Sequence, residues 1–251
     1  MQHPVSKLAL LALLCLASTR VHGAGPIQPI FQLANFSHPL VIDNPYLSLP
    51  AGRHIVFYEV EGGECGVNDF VITAGTKSDF QGRYAGLSAR AISDRVWLDK
   101  DCDGGRDLLL EDTTDWHGQD NAGNVWYFGE DSSAFEYDAA GNLISTSKEG
   151  SWEAGRDGAL AGLVMLAHPV RNVAYRQEFS AGIAEDTARV FRTDASISTG
   201  LGDFSGCVVT RETTPLTPGD IEYKAYCPRV GLVLVQHSGQ KGGAEAVDLG
   251  L

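Results

Sequence analysis

The sequence has few basic residues, and this shortage limits its partners. Its 251 residues contain 19 Lys and Arg against 32 Asp and Glu, so the formal charge at pH 7 is -13. A protein that binds the phosphate backbone of a nucleic acid needs clustered positive charge. An anionic membrane surface also disfavours an acidic protein. The composition therefore predicts no nucleic-acid partner and is compatible with cationic ones.

Motifs of several enzyme classes are missing as well. No G-x-G-x-x-G or P-loop pattern follows a strand-like segment, no G-x-S-x-G elbow is present, and the histidines form neither H-x-H nor H-E-x-x-H. These absences argue against a nucleotide cofactor, a serine nucleophile on an elbow and a zinc-protease site. They identify no catalytic residue, and they leave open whether the protein is an enzyme.

Long apolar runs are confined to the N-terminus. Residues 8–17 (LALLALLCLA) follow Lys7, and residues 21–23 precede a cleavage point near Ala24. The run is too short to span a bilayer as a helix. The pattern is typical of a cleaved secretory signal, so we predict a signal peptide over residues 1–23.

The predicted export fixes the boundaries and the charge of the mature chain. Residues 24–251 show no linker or low-complexity tract, which predicts a single β-rich domain. Cleavage removes Lys7 and Arg20 but no acid, so the charge changes from -13 to -15. We expect a secreted or periplasmic protein with no membrane span.

The cysteine count becomes even once Cys15 is removed with the signal. The remaining four are Cys65, Cys102, Cys207 and Cys227. An even number in an oxidising compartment predicts two disulfides, for which three connectivities exist. We favour Cys65 with Cys102 and Cys207 with Cys227, because each pair lies within one half of the chain. Free thiols or a metal site are the alternative, but no C-x-x-C is present.

Helical periodicity is missing after the signal, whereas short segments rich in β-branched and aromatic residues recur. These segments are residues 54–60, 95–98, 125–128, 173–179, 188–191, 207–210 and 231–235. The one helix candidate, residues 158–166, is weakened by its glycines. We predict an all-β fold with little helix: an antiparallel meander that forms a sandwich or a curled half-barrel.

Turn motifs indicate hairpins between these strands. Residues 120–124 and 138–142 share the pattern D-x-A-G-N, in which Gly supplies a positive φ while Asp and Asn bond to the local backbone. Residues 215–220 (PLTPGD) predict a further hairpin, which would place Cys207 and Cys227 at its open end.

An acidic loop at residues 99–107 is the sharpest chemical feature. Its candidate metal ligands are Asp99, Asp101, Asp103 and Asp107. With Gly104 at position six, the spacing resembles the start of a D-x-D-x-D-G calcium loop. However, position twelve is Leu110 instead of a bidentate Glu, and no helices flank the loop. The sequence therefore leaves two interpretations, a calcium site and a solvated acidic turn.

Tryptophans and further acids offer weaker candidates. Trp116, Trp126 and Trp152 are candidate ligand-binding residues that could stack on sugar rings, but we favour the core interpretation, because Trp97 and Trp126 lie in strand-like runs. Eight acids beside aromatic or Gly-rich segments are candidates for acid/base chemistry. They are Asp115, Asp120, Glu130, Glu153, Asp157, Glu178, Glu185 and Asp186.

Five stretches carry a resemblance to a known family. They are DNPY at 43–46, GNVWYFGE at 123–130, GSWEAGRDGA at 150–159, YRQE at 175–178 and AED at 184–186. Together they make the chain similar to an uncharacterised family of secreted bacterial β-rich proteins. The resemblance implies an envelope or extracellular setting and transfers no activity.

Three function classes follow, in order of preference. The first is a non-catalytic binding or structural domain with a calcium loop. The second is a carrier of an apolar ligand in a half-barrel cavity. The third is a secreted hydrolase acting on carbohydrate, which needs two facing carboxyl groups in a groove. The identity of the ligand stays unknown at this stage, and calcium is the one cofactor that the sequence suggests.

Overall fold

A computed structural model describes residues 25–239 and 242–250. The predicted signal peptide lies outside these ranges. Strands account for 58% of these residues and helix for 3%. The helical content consists of two 3-10 turns, Leu33–Asn35 and Gly82–Tyr84. The all-β prediction is confirmed.

The strands are numbered in chain order. They are β1 (Asp43–Asn44), β2 (Leu47–Ser48), β3 (His54–Glu61), β4 (Glu64–Lys77), β5 (Ala89–Asp99), β6 (Leu108–Gln119), β7 (Val125–Tyr137), β8 (Leu143–Ser147), β9 (Trp152–Glu153), β10 (Leu160–Met165), β11 (Ala174–Arg176), β12 (Glu178–Phe179), β13 (Thr187–Thr199), β14 (Gly202–Thr213), β15 (Glu222–Cys227), β16 (Gly231–His237) and β17 (Gly242–Gly250).

One antiparallel sheet contains almost all of these strands. Its order is β11-β13-β14-β15-β16-β17-β3-β4-β5-β6-β7-β10-β12, with β8 and β9 attached to β7. The two end strands, β11 and β12, are separated in the chain by Gln177 alone. The two edge strands of the sheet therefore lie beside each other. The sheet is curled and nearly closed. Of the two architectures predicted, the structure shows the curled half-barrel.

The predicted hairpins are present, and their turns have the expected chemistry. Between β6 and β7, Asp120 Oδ1 accepts hydrogen bonds from the backbone N–H groups of Ala122 at 3.0 Å and Asn124 at 2.9 Å. Gly123 has a φ of +90°. The turn between β7 and β8 repeats the pattern, with Asp138 Oδ1 accepting from Asn142 at 2.8 Å. These side-chain bonds set the turn that brings each pair of strands into register.

The helix candidate at residues 158–166 forms strand β10 instead. Gly162 explains the difference, because a Cβ at this position would lie 2.3 Å from the carbonyl carbon of Gln177. The glycine permits β10 to approach the chain next to β12. A glycine inside a strand often marks such a close approach.

The final strand, β17, is absent from the sequence-based prediction. Its residues GGAEAVDLG include glycine and alanine, which have low strand propensity. A Cβ at Gly242 would lie 1.8 Å from the carbonyl oxygen of Val60, so the glycine lets β17 lie against β3. Because β17 lies between β16 and β3, it joins the two halves of the chain into one sheet.

Both predicted disulfides are confirmed. Cys65 and Cys102 are joined with a Cα–Cα distance of 5.4 Å, and Cys207 and Cys227 with one of 4.3 Å. The second pair links β14 to β15 beside the register pair Val208 and Tyr226, at the open end of the hairpin. Two disulfides fit an extracellular or periplasmic location. Within the described residues, no helix has the length and apolarity needed to cross a membrane.

A small hairpin, β1–β2, lies against one end of the sheet and is held there by Asn44. The Asn44 side chain is 1% exposed. Its Nδ2 donates to the carbonyl oxygens of Gly123 at 2.8 Å and Leu166 at 3.2 Å, and its Oδ1 accepts from the N–H groups of Tyr46 and Leu47. One buried amide thereby fixes the hairpin to two loops of the half-barrel.

Candidate functional site

A cavity of about 210 Å³ lies inside the curled sheet. Its apolar lining consists of Leu47, Leu49, Ile55, Phe57, Phe70, Val164, Val230 and Leu232. Its polar lining consists of Ser48, Asp94, Asp115, His117, Tyr127, Gln177, Glu178, Asp186, Glu212, Lys224 and Tyr226, and Gly231 completes the wall.

The apolar residues lie mainly on the middle strands of the sheet. Leu232 is on β16, Ile55 and Phe57 are on β3, and Phe70 is on β4. These strands are central in the sheet order. Leu49, which follows the β1–β2 hairpin, adds to this side and is 2% exposed. One side of the cavity is therefore a hydrocarbon and aromatic surface.

The polar residues lie on the strands that flank the seam between β11 and β12. Going outward from one edge, they are on β12, β7, β6 and β5, and from the other edge on β14 and β15. In a nearly closed sheet these two flanks are neighbours and face the middle strands. Most of the carboxyl groups therefore lie toward the seam and most of the apolar residues toward the middle strands, although Asp94 is the register partner of Phe70 and Val164 lies on β10.

Tyr127 joins two carboxyl groups beside the cavity. Its hydroxyl lies 2.6 Å from Asp115 Oδ1 and 2.9 Å from Glu130 Oε2. A phenol has one proton to donate, so the second contact requires a proton from one of the carboxyl groups. Burial raises the pKa of Asp115 well above its usual value, with the nearby charge of Asp94 adding to the effect. Burial also raises the pKa of Glu130 to about 7. This cluster therefore holds a proton near neutral pH.

Three further carboxyl groups on the polar side also have raised pKa values. Burial raises the pKa of Glu178 to about 8, and repulsion from Asp186 and Glu130 adds to it. Burial likewise raises the pKa of Asp186, and that of Asp94 rises to about 6. Asn68 Nδ2 donates a hydrogen bond to Asp94. In each case the main cause is the removal of a carboxylate from water.

Lys224 is the cationic residue of the cavity wall, and it is already paired. Its Nζ lies 3.0 Å from Glu212 Oε2 and 3.0 Å from Glu222 Oε2. Burial lowers the pKa of Lys224, but the charges of the two glutamates outweigh this effect and hold it well above its usual value. Glu212 Oε1 accepts a further hydrogen bond from Thr210 at 2.6 Å. The charge of Lys224 is therefore already matched by carboxylates of the protein itself.

Two buried polar atoms of lining residues lack a hydrogen-bond partner within the described chain. They are His117 Nδ1 and Gln177 Oε1, on side chains that are 8% and 7% exposed. Burial lowers the pKa of His117 to about 3, so its ring is neutral at pH 7. The ring stacks on Tyr127 at 4.8 Å between centroids. Buried groups of this kind normally find a partner, so each points to a missing one.

The acidic loop at residues 99–107 uses several of its carboxylates internally. Asp99 Oδ2 accepts from the Gly104 N–H at 2.7 Å and from the Tyr58 hydroxyl at 3.3 Å. Burial raises the pKa of Asp99, but hydrogen bonds from the Gly104 and Asp103 amides outweigh it and the pKa is lowered. Asp107 Oδ2 accepts from the Lys100 N–H at 2.7 Å. These bonds are those of a structured acidic turn.

Three of the four predicted metal ligands are nevertheless close together. Asp99, Asp101 and Asp107 each place a carboxylate oxygen within 4.8 Å of the others, whereas Asp103 is not part of this group. Repulsion from Asp103, burial and the charges of Asp107 and Asp99 raise the pKa of Asp101. The loop thus offers three oxygens of the six to eight that calcium takes. The calcium site stays a prediction.

The sequence did not indicate a second group of this kind. Glu59 and Glu61 on β3 and His237 on β16 bring three ligand atoms within 4.8 Å of one another. These strands are separated by β17, so no spacing in the sequence relates the residues. The ring of His237 also lies 3.6 Å from Glu222 and 3.8 Å from Asp220, so it has carboxylate partners without a metal ion.

The candidate tryptophans lie in the core and do not line the cavity. Trp126 and Trp152 are each 5% exposed. Trp126 is edge-on to Phe36, its centroid at 5.5 Å, and Trp152 is edge-on to Tyr127 at 5.4 Å. Trp116 is half-buried, with Lys77 Nζ 4.6 Å from the centre of its ring. Their packing is that of the core interpretation, and sugar stacking by these residues stays an untested prediction.

Several cavity residues belong to segments noted in the sequence. Tyr127, Gln177, Glu178 and Asp186 lie in the stretches that carry the family resemblance. Asp115, Glu178 and Asp186 are among the eight acids considered for acid/base chemistry. The comparisons add no relative. No protein-family model, curated protein or solved structure matches the chain.

His117, Gln177 and Lys224 were not among the candidate site residues. The alternation of side chains between the two faces of a strand is the signal that could have identified His117 and Lys224. Asp115 and His117 are two residues apart on β6, as are Lys224 and Tyr226 on β15, so each pair shares a face of the sheet. Which face is interior depends on how the sheet curls, and that is not readable from a single strand.

Proposed function

We propose that this protein is an exported binding protein, secreted or periplasmic, that holds a small ligand in the cavity of its curled sheet. The observation that carries the proposal is the mixed lining, with most of its apolar residues toward the middle strands and most of its carboxyl groups toward the seam. Small-molecule sites combine an apolar lining with a few polar groups that fix orientation. The ligand has an apolar body and one polar end.

The size of the cavity limits the ligand. A dry cavity of about 150 Å³ accommodates benzene, so the 210 Å³ available here suits one ring with a short chain. A long lipid chain and an oligosaccharide are both too large to be enclosed. The protein acts as a receptor or carrier for a compact molecule.

The lining residues also favour this function over the two alternatives, an apolar-ligand carrier and a carbohydrate hydrolase. A wholly apolar ligand would make no polar contact with Asp115, Glu178 and Asp186 and would leave the polar part of the wall unused. A carbohydrate hydrolase is supported by the closeness of Asp115 and Glu130, but no tryptophan lines the cavity. Binding of a compact amphipathic molecule uses both sides of the cavity, and we favour it.

The test uses a small ring compound and a variant that fills the cavity. We expect 2-phenylethanol or its amine analogue, phenethylamine, to give saturation-transfer signals in ligand-observed NMR with the wild-type protein. Leu232→Trp places a larger side chain in the apolar wall and should abolish the signals. Ile144→Trp, at a position that is 63% exposed on β8, should leave them unchanged. Equal signals from all three proteins would contradict the proposal.

A structural calcium ion at the acidic loop is a second, separate proposal. It is supported by the grouping of Asp99, Asp101 and Asp107 and by the like-charge repulsion on Asp101, which a cation would relieve. The disulfide at Cys102 connects this loop to β4, so a bound ion would stabilise the loop and its attachment to the sheet. Its test is among the predictions below.

A further inference from the structure

The charges of the cavity wall do not balance. Five acids line it, namely Asp94, Asp115, Glu178, Asp186 and Glu212, against one lysine, Lys224. The ion pairs of Lys224 within the described chain are with Glu212 and Glu222. The other four lining acids take part in no ion pair of the described residues. The cavity is therefore complementary to a positive charge that the described chain does not itself supply.

The unpartnered atoms point to the same kind of ligand. The amide oxygen of Gln177 can only accept a hydrogen bond, and a ring nitrogen of a neutral histidine accepts one when the other carries the proton. Gln177 Oε1 and His117 Nδ1 are both buried without a partner. The side chains that carry both atoms line the cavity, and an N–H donor is the partner that Gln177 Oε1 lacks. The missing hydrogen-bond partners of these two atoms are a separate observation from the number of charged residues in the wall.

From these observations we infer that the ligand is a protonated organic amine. Its ammonium group lies at the polar side among Asp115, Glu178, His117 and Gln177, and its apolar body lies against Phe57 and Leu232 on the opposite side. This inference rests on the proposed function, since it names the class of molecule that the cavity takes. An ammonium group suits the polar side because it offers three N–H donors together with a positive charge.

An organic cation fits the cavity better than a metal ion does. Among the described residues, two groups bring three potential ligand atoms within 4.8 Å, one at the acidic loop and one around His237. No cavity carboxyl group belongs to either. The carboxyl groups of the cavity are spread around the polar side, which suits a molecule that has spatial extent. The apolar side would be unused by a bare ion.

The experiment is a calorimetric comparison of three related ligands at pH 8. They are phenethylamine, 2-phenylethanol and 3-phenylpropionate, which share a phenyl ring and differ in the charge of the polar end. For the wild-type protein we expect phenethylamine to bind at least about tenfold more tightly than the alcohol, a difference of ~1.4 kcal/mol. We expect 3-phenylpropionate to bind more weakly than the alcohol, since the wall repels an anion.

Two variants test the residues named. Glu178→Gln keeps the shape of the side chain and removes its charge, so it should reduce the preference for amine over alcohol several-fold. Binding of the alcohol should persist, which shows that the variant is folded. Glu136→Gln removes an exposed carboxylate on β7 and should leave the preference at the wild-type value. His117→Phe, which keeps the ring stack on Tyr127, should weaken the amine more than the alcohol.

The outcomes separate the inference from the proposed function. If the alcohol and the amine bind equally well, the amine inference is overturned while cavity binding stands. If 3-phenylpropionate binds most tightly, the inference is likewise overturned. If none of the three ligands binds the wild-type protein at millimolar concentration, both the inference and the proposed function are overturned. An amine preference that Glu178→Gln reduces and Glu136→Gln retains supports both.

Discussion

Lys224 Nζ lies 3.0 Å from Glu212 Oε2, and this contact decides the charge of the cavity. The lysine also contacts Glu222, so its positive charge is shared between two glutamates on the strands at one flank of the seam. Asp115 and Glu178, at the other flank, gain no ion pair from it. These carboxyl groups therefore keep their protons near neutral pH, and a cationic ligand would have to displace those protons to pair with them.

Amine binding should release protons and strengthen as the pH rises. The carboxyl groups whose pKa values are raised to about 6, 7 and 8 are Asp94, Glu130 and Glu178. An ammonium ion favours their ionised forms, whereas the amine itself stays protonated up to about pH 10. We expect the affinity for phenethylamine to increase about tenfold or more between pH 5 and pH 8.

The measurement is calorimetry in two buffers with different ionisation enthalpies. Proton release makes the observed enthalpy depend on the buffer for phenethylamine, and 2-phenylethanol should show no such dependence. The titratable groups of the cavity wall are Asp94, Asp115, Glu178, Asp186, Glu212, Lys224, His117, Tyr127 and Tyr226, and Glu130 and Glu222 contact Tyr127 and Lys224 from behind the wall. Amine binding that weakens from pH 5 to pH 8 would contradict this prediction.

Stability without ligand should depend on pH in the opposite direction. A carboxyl group whose pKa is raised on folding stabilises the protein below its unfolded pKa, and this stability is lost as the pH rises through the folded value. For Glu178 the window runs from about 4.5 to about 8. We expect Tm to fall across this window. Glu178→Gln should raise Tm by about 3 °C at pH 8, the shift that about 1 kcal/mol produces in a domain of this size.

Scanning calorimetry at pH 5 and pH 8 checks this prediction. The variant should differ from the wild-type protein mainly at pH 8, because at pH 5 the buried carboxyl group of Glu178 is already neutral. Glu136→Gln serves as the exposed control and should follow the wild-type curve. A Glu178→Gln variant that is less stable than the wild-type protein at pH 8 would show that the ionised carboxylate is favourably paired in the fold.

Calcium should raise Tm through the acidic loop. At millimolar calcium we expect a rise of about 2 °C or more, because an ion that binds the folded loop stabilises it by mass action. Asp101→Asn combined with Asp107→Asn should abolish the rise. Asp103→Asn should retain it, since Asp103 lies outside the group of three and bonds to the Gly105 N–H instead. No calcium effect on the wild-type protein would remove the calcium proposal.

The two disulfides should differ in their susceptibility to reduction. Cys207 and Cys227 are both fully buried, whereas Cys102 is exposed in the acidic loop and Cys65 is 7% exposed. A thiolate reagent must reach a sulfur atom to attack it. Under native conditions with dithiothreitol we expect the bond between Cys65 and Cys102 to open first. Alkylation followed by peptide mapping measures the order, and initial labelling at Cys207 and Cys227 would be the contrary result.

Removal of the Asn44 side chain should strongly lower the free energy of unfolding. Asn44→Ala removes two donated and two accepted hydrogen bonds at a position that is 1% exposed. Because this leaves buried backbone groups unpaired, we expect a loss of about 2–4 kcal/mol in the free energy of unfolding. Asn121→Ala, at an exposed asparagine, should cost less than about 1 kcal/mol. Denaturant titration of both variants provides the comparison.

Local signals predicted much of the fold. The D-x-A-G-N turns, the proline-rich turn at residues 215–220 and the strand-like segments each act over a few residues, so the sequence alone indicates them. The pairing of Cys207 with Cys227 followed from the same hairpin logic, and that of Cys65 with Cys102 from their position in one half of the chain. Two elements depended on contacts distant in the chain. Within residues 158–166, Leu160–Met165 form a strand in which Gly162 lies against Gln177, and Gly242 permits β17 to pair with β3.

The candidate site was harder to predict, for a related reason. Asp115, Glu178 and Asp186 could be singled out as acids beside aromatic segments, but their convergence depends on closure of the sheet at Gln177. Lys224 and Glu212 come from the opposite flank of the seam. A sequence shows which residues share a face of one strand, whereas the curvature that turns this face inward is a property of the whole sheet.

The most direct test of ligand binding inside the sheet is the measurement of intermolecular nuclear Overhauser effects between phenethylamine and the methyl groups of the protein. We predict contacts from the phenyl protons to the methyl groups of Leu49, Ile55 and Leu232, which line the apolar side of the cavity. Contacts restricted to exposed methyl groups such as those of Ile144 and Val170, or no contacts at saturating ligand, would contradict the account.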